Sequence, residues 1–232
     1  MPMTVGVTGA TGGIGAAVTE VLIATGHRVL AIGRSSGRLD ELRSRLGDVV
    51  PIVVDFSHGD QDLGPLARID HLDGLVHCAG VSEVASVEET SRELWNETMA
   101  VNVTGPAAVT RALLPALRAA RGRVVFINAA PGSHAVPRWS AYTASKTALR
   151  ELADSLREEE DGHGVRVTTI YPAGVGTELL RKVREQLGRP YDPATTVSPK
   201  TLASIVLGVL ESPEDAHLLE ITLRAAPSGA RR

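Results

Sequence analysis

Cysteine is nearly absent from this 232-residue chain, and the lone Cys78 rules out an internal disulfide and any cysteine-based zinc cluster. Aromatic residues are few, at 3%, and lysines number three against 21 arginines. Neither sign of charge dominates: a formal charge of -3 and a pI near 6.2 give no basic field for nucleic acid or an anionic membrane. No apolar run reaches about 18 residues, so a membrane-spanning helix is not expected. The first residues run straight into Thr4-Val5-Gly6-Val7-Thr8 without a basic region or cleavage site, which leads to the expectation of a cytoplasmic protein. No period of 20 to 50 residues recurs, so a solenoid or propeller is not expected either.

What is present is ordinary for a globular protein, with 43% apolar and 22% charged residues. The length suits one large domain, expected to span residues 1–232. Short β-branched runs alternate with stretches of helical periodicity, the pattern of βαβ units and a doubly wound α/β fold. Seven strands are predicted, at 5–7, 28–32, 49–55, 74–78, 123–128, 166–171 and 218–223. Helices are predicted at 13–25, 39–46, 88–120, 141–159, 178–187 and 199–211, the long one bending at Gly105-Pro106, where proline removes a donor. Helices on both faces of a mostly parallel sheet make this a Rossmann arrangement.

Glycines cluster where such a fold binds a dinucleotide. The first strand passes into Thr8-Gly9-Ala10-Thr11-Gly12-Gly13-Ile14-Gly15 and then into a helix. Glycine permits the sharp turn and close approach of backbone to ligand, and the unpaired amides at the helix start seat a pyrophosphate. At the end of the second strand, where a carboxylate would bind a ribose 2'-hydroxyl, the chain has Gly33-Arg34-Ser35-Ser36-Gly37-Arg38. Arg34, helped by Ser35 and Arg38, suits a 2'-phosphate, so NADP(H) is favoured over NAD(H). Asp55, closing the third strand, is placed to accept from an adenine amino group or simply to cap the strand end.

Tyr142 and Lys146 stand four residues apart, on one helical face. Free tyrosine titrates near ~10, and a lysine cation nearby favours the phenolate and lowers that value, so the pair can move a proton. By itself such a pair is commonly a solvated helix face; the glycine loop gives it a redox context.

Together these motifs identify the chain as similar to the short-chain dehydrogenase/reductase family over nearly its whole length. The run from Thr8 to Gly15 resembles the family's cofactor motif, with Gly9, Thr11, Gly13, Ile14 and Gly15 at the dinucleotide. Asp55 matches its adenine contact. His77-Cys78-Ala79-Gly80 stands where the family has Asn-Asn-Ala-Gly; two residues depart, while Ala79 and Gly80 still permit close approach to the cofactor. Asn102 resembles the asparagine that bends the long helix and holds a water joining the lysine to solvent. The stretch from Tyr171 to Thr177 resembles the loop that meets the nicotinamide carboxamide, with Ala173 where a Pro-Gly dipeptide is usual.

The resemblance implies hydride transfer between nicotinamide and a carbinol or carbonyl carbon, with Tyr142 trading the proton. Lys146 would bind the nicotinamide ribose and keep the tyrosine's pKa low, and Asn102 would complete a relay through water. It also implies a homodimer or homotetramer. The family's serine, thirteen residues before the tyrosine, is replaced by Ala129. Losing one such donor typically costs ~10²- to 10³-fold in rate. Asn128, Ser133, His134 and Ser140 are nearby candidates for a substitute. The reading is therefore an NADP(H)-dependent oxidoreductase of carbonyl reductase or alcohol dehydrogenase type. The alternative is a dinucleotide-binding relative with little turnover, a sensor or scaffold. A substrate loop is expected at 174–193, where Leu179, Leu180 and Leu187, with Trp139 and Val136, suggest a small apolar guest; an amphipathic helix packed on the body accounts for the leucines equally well. No metal site is expected.

Overall fold

A computed structural model describes residues 1–57, 63–129 and 136–226. Seven parallel strands form one sheet: β1 (Thr4–Thr8), β2 (Arg28–Gly33), β3 (Val49–Val53), β4 (Gly74–His77), β5 (Arg123–Ile127), β6 (Arg166–Pro172) and β7 (Glu220–Leu223). Their order is β3-β2-β1-β4-β5-β6-β7, so the direction of winding reverses between β1 and β4. A crevice opens at the strand ends at such a reversal, and doubly wound folds bind ligands there.

Strand residues alternate between two apolar layers. Val5, Val7, Val125 and Ile127 face one layer, which holds Val18 and Leu22 of helix α1 (Gly13–Ala24); Leu30, Ile32, Val124 and Phe126 face the other. The first layer is closed by Leu202, Val206 and Leu210, the second by Leu113, Leu117, Leu149 and Ala153. Each residue buried on either face removes apolar area from water at ~25 cal/mol per Å², which is why these strands read as continuous apolar runs.

Strand and helix positions match the expectations, with differences at the ends that have local causes. Helix α2 (Ser36–Leu46) starts three residues early because Ser35 caps it, its side chain accepting from the Arg38 amide at 3.4 Å. A single turn, α3 (Gly64–Ala67), was not expected from the periodicity. The predicted 88–120 helix begins at Arg92 and then runs without a gap to Ala120. Ser91 caps α4 (Arg92–Met99), a π-helical turn occupies Ala100–Thr104, and α5 (Gly105–Ala120) begins with Pro106 in its first turn. The π-helical turn thus lies inside one continuous helix, directly before Gly105-Pro106, and Pro106 falls in the turn that follows it. Helix α6 (Ser140–Glu160) follows β5, α7 (Glu178–Gln186) follows β6, and α8 (Pro199–Leu210) precedes β7. No helix among the described residues is long and apolar enough to cross a membrane.

Candidate active site

The crevice is built by pulling the loops after β1 and β4 together. Thr8 ends β1, and its hydroxyl oxygen accepts from the amides of both Cys78 and Ala79, each at 3.2 Å. Gly9 then turns with φ +64°, and a Cβ there would lie 2.8 Å from the Ala79 amide nitrogen. A Cβ on Gly15 would strike the Gly9 carbonyl. Glycine is required at both by backbone crowding, as a loop wrapped closely around a ligand demands. At the start of α1, Gly12 provides no side-chain cap and no acidic residue occupies the first turn, so its amides and positive dipole end face the groove.

That groove encloses about 270 Å³. Gly9, Thr11, Gly13, Ile14, Gly15, Arg34, Asp55, Ala79, Gly80 and Thr177 all line it, whereas Ser35 does not. Arg34 is exposed along it. Arg38 also lines it, its guanidinium donating to the Thr11 carbonyl at 2.6 Å, which braces the glycine loop. Ser35 is occupied as the α2 cap. Asp55 lies two residues beyond β3 rather than closing it, and its carboxylate accepts from the Ser57 amide at 3.0 Å and hydroxyl at 2.6 Å. Crowded glycines, an uncapped helix start and basic arms match the chemistry of a dinucleotide's phosphates.

A second cavity of about 180 Å³ adjoins the first, and Ile14, Cys78, Ala79, Gly80, Thr177 and Leu179 line both. Its far wall holds Tyr142 and Lys146, one turn apart on α6. The lysine Nζ lies 5.9 Å from the centre of the tyrosine ring and donates to the Ile127 carbonyl at 3.0 Å. Burial pushes the Tyr142 phenol up to about 12 and the Lys146 ammonium down to about 8. The expected depression of the tyrosine by its neighbour is therefore not displayed, and burial is the cause of its rise.

Asn102 sits in the π-helical turn, fully buried. Its side-chain oxygen accepts from the Val81 amide at 2.9 Å, and its nitrogen donates to the Val81 carbonyl at 3.0 Å and the Ser145 hydroxyl at 2.9 Å. Ser145 in turn donates to the Tyr142 carbonyl at 2.7 Å. Both amide hydrogens are thus used in clamping the loop after β4 to α6, and that clamp sets where Tyr142 sits. On α7, Thr177 caps the first turn by accepting from the Leu180 amide at 3.3 Å, and Leu179, Leu180 and Val183 cover the cavity.

Ala129 lines this cavity and brings no hydroxyl. Among the candidate substitutes, Asn128 faces the cavity, but its side chain bonds the backbone, giving to the Lys146 carbonyl at 3.1 Å and accepting from the Ala129 amide at 2.8 Å. The Ser140 hydroxyl is buried and forms none of the cavity lining, and Ser133 and His134 lie outside the described residues. Trp139 lines the cavity as expected and Val136 does not. Sequence reasoning passed over Ser82, which also lines it and accepts from the Trp139 indole nitrogen at 2.7 Å. Its position two residues past Ala79-Gly80 was the available signal.

The two departures before Ala79 have different fates. His77 lies away from the site, stacked on Phe126 at 4.8 Å and bonded through Nε2 to the Thr110 hydroxyl at 2.9 Å, with burial pushing it down to about 3. Cys78 faces both cavities, and burial pushes its thiol up to about 12, so it is protonated at neutral pH.

The family model for short chain dehydrogenase matches residues 3–188. The chain belongs to the short-chain dehydrogenase/reductase family. It is 33% identical over 222 residues to an uncharacterized short-chain type dehydrogenase/reductase of Sinorhizobium fredii, covering 93% of this chain and 89% of the relative. Among solved structures it resembles the closed form of serine dehydrogenase complexed with NADP+, with TM-score 0.86 and 28% identity over 99% of this chain and 97% of the other. It likewise resembles an alcohol dehydrogenase from Thermococcus sibiricus complexed with 5-hydroxy-NADP, with TM-score 0.83 and 25% identity over 97% of each chain. As a member of this family it is an oxidoreductase of the dehydrogenase/reductase class, and the single seven-stranded domain agrees with that assignment.

Proposed function

We propose that this protein is an NADP(H)-dependent reductase of small apolar carbonyl compounds, with Tyr142 as the proton donor. The observation that carries this reading is the shared wall of the two cavities: a molecule held along the glycine loop continues past Ile14, Cys78, Gly80 and Thr177 to the face of Tyr142 and Lys146. A nicotinamide cofactor bound there supplies the hydride in reduction and accepts it in oxidation.

This chain's residues do the rest. A phenol at about 12 is fully protonated at neutral pH, which suits Tyr142 to give its proton to the carbonyl oxygen as that oxygen gains charge. Lys146, mostly cationic at pH 7, then stabilises the phenolate from one turn away. Its ammonium is also placed to bind a ribose hydroxyl. Asn102, through Val81 and Ser145, fixes the spacing of loop and helix, and the water relay from Lys146 that the family resemblance implies is part of the same reading. Leu179, Leu180, Val183, Val175 and Trp139 favour an apolar guest, and a cavity near 180 Å³ favours a small one. Arg34 beside Gly33 favours the 2'-phosphate of NADP, and structural neighbours complexed with NADP+ and 5-hydroxy-NADP support the choice. Homo-oligomeric assembly and a cytoplasmic location complete the proposal, the first checked by light scattering and the second by fractionation.

Ala129 favours a second reading, a dinucleotide-binding sensor or scaffold with little turnover. NADPH titration and an absorbance assay with aldehydes, ketones and quinones separate the two. Micromolar NADPH binding with carbonyl-dependent oxidation is the expected result. Tight binding without oxidation on any of these would overturn the reductase in favour of the binder.

A further inference from the structure

Ser82 presents a hydroxyl to the same cavity that Ala129 lines without one. It lies in the loop after β4, is 8% exposed, and shares the cavity with Tyr142 and Trp139. The loop is held in place twice over. Val81 is clamped by Asn102 at both its amide and its carbonyl, and Ala85 bridges to Trp139. An indole nitrogen can only donate, so in the 2.7 Å contact with Trp139 the Ser82 oxygen is the acceptor. Its own hydrogen is then free to be given elsewhere, and among the described residues no acceptor takes it.

The indole that fixes Ser82 is stacked on the Tyr142 ring, with centroids 4.5 Å apart and planes 15° from parallel. Trp139 therefore touches both residues, bonding Ser82 through its indole nitrogen and stacking on the Tyr142 ring. Ser82, from the loop after β4, and Tyr142, from α6, both line the cavity that a carbonyl substrate would enter. Donation from Trp139 polarises the Ser82 O–H and makes it the better donor.

We propose that Ser82, oriented by Trp139, is the catalytic hydroxyl that hydrogen-bonds the substrate oxygen opposite Tyr142, in the role left open by Ala129. The proposal rests on the reductase reading for its chemistry, and on cavity geometry alone for its placement. Ser82 gives up no proton: hydride adds to carbon, the Tyr142 proton goes to oxygen, and the serine hydrogen bond strengthens as charge develops and is kept by serine at the end. Trp139 is a positioning residue.

The test uses the NADPH-loaded enzyme and 4-nitrobenzaldehyde for turnover, with isobutyramide, a non-reducible amide bearing the same carbonyl, titrated into the NADP+-loaded protein for binding. Ser82→Ala is expected to lower kcat by about 10²-fold, as loss of one oxyanion donor does, and to weaken isobutyramide binding about tenfold, with NADPH affinity unchanged. Ala129→Ser alone should change kcat only a few-fold, whereas Ala129→Ser added to Ser82→Ala should recover most of the loss. That non-additivity is the signature of two hydroxyls serving one oxygen. Wild-type turnover that survives Ser82→Ala, with isobutyramide binding intact, would overturn the role of Ser82 and leave the reductase standing. Isobutyramide binding that depends on Ser82 in a protein that oxidises no NADPH would uphold Ser82 as the carbonyl donor and remove the reductase. Indifference of both readouts to Ser82 in an enzyme strongly activated by Ala129→Ser would show that the hydroxyl is simply missing.

Discussion

Trp139 lies flat against Tyr142, with ring centroids 4.5 Å apart, and both rings line the cavity beside Ala129. Trp139 immediately precedes α6, so the helix that carries the tyrosine also carries the plate that limits its ring. An aromatic pair of this kind contributes ~0.5–1.5 kcal/mol beyond its buried area, and here it also restricts where a phenol hydroxyl can point. Confinement of the acid comes from a neighbour in sequence rather than from a distant element.

Tyr142→Phe removes the proton donor and leaves the stack. Turnover should fall by ~10²- to 10⁴-fold, the range for loss of a positioned acid, with the protein as stable as before and NADPH bound as tightly. Steady-state kinetics beside a thermal melt and an NADPH titration check this. A variant retaining more than a tenth of the wild-type rate would remove Tyr142 from the chemistry.

The pH profile should report Lys146. Burial holds its ammonium at about 8 rather than the usual 10.5, while Tyr142 stays protonated up to about 12. As pH rises through 8 the cation that stabilises the developing phenolate is lost, so kcat/KM should decline above about pH 8 with one ionisation. Lys146→Arg keeps its charge throughout, and although slower it should lack that limb. A flat wild-type profile to pH 9.5 would show that the lysine cation is not needed.

Arg34 and Arg38 both line the dinucleotide groove, but they should fail differently. Charge-assisted hydrogen bonds are worth ~1.5–3 kcal/mol, so Arg34→Ala should weaken NADPH about 10- to 100-fold and change NADH only slightly. Arg38 braces the Thr11 carbonyl at 2.6 Å, so Arg38→Ala should weaken both cofactors. Calorimetric titrations with each cofactor separate the two. Equal losses for NADPH and NADH in Arg34→Ala would count against a 2'-phosphate contact.

How far the sequence carried the site depended on whether a role is written in local spacing. Gly9, Gly15 and the Tyr142/Lys146 step are such roles, because a tight turn and a shared helical face are properties of a few consecutive residues. That these residues would gather along one crevice was legible from those spacings. Asn102 could be placed by resemblance, but not its partners: Val81 and Ser145 are 21 and 43 residues away, and only the π-helical turn brings its amide to both. The position of Ser82 just past Ala79-Gly80 was readable, but its orientation was not, since that arises from an indole 57 residues on. The tyrosine's resting protonation also eluded spacing, since spacing reveals a neighbouring cation and not the depth of burial that raises the phenol.

His77 makes the last prediction, one of stability rather than rate. It is buried between Phe126 and Thr110, its Nδ1 has no partner among the described residues, and burial holds it at about 3 against an ordinary 6.5. In the unfolded chain the imidazole takes up a proton as pH falls through 6.5, while in the folded protein it stays neutral until about 3. The unfolded state therefore binds more protons across that window, and stability present above pH 6.5 is lost as pH falls towards 3, by up to about 1.4 kcal/mol per pH unit. His77→Phe keeps a ring on Phe126 and cannot titrate. It should cost some stability at pH 7.5, where the Thr110 hydroxyl loses its partner, yet narrow the gap to wild type by pH 5. Denaturant unfolding at both pH values measures the slope directly; parallel pH dependence in the two proteins would mean that some other group governs acid unfolding.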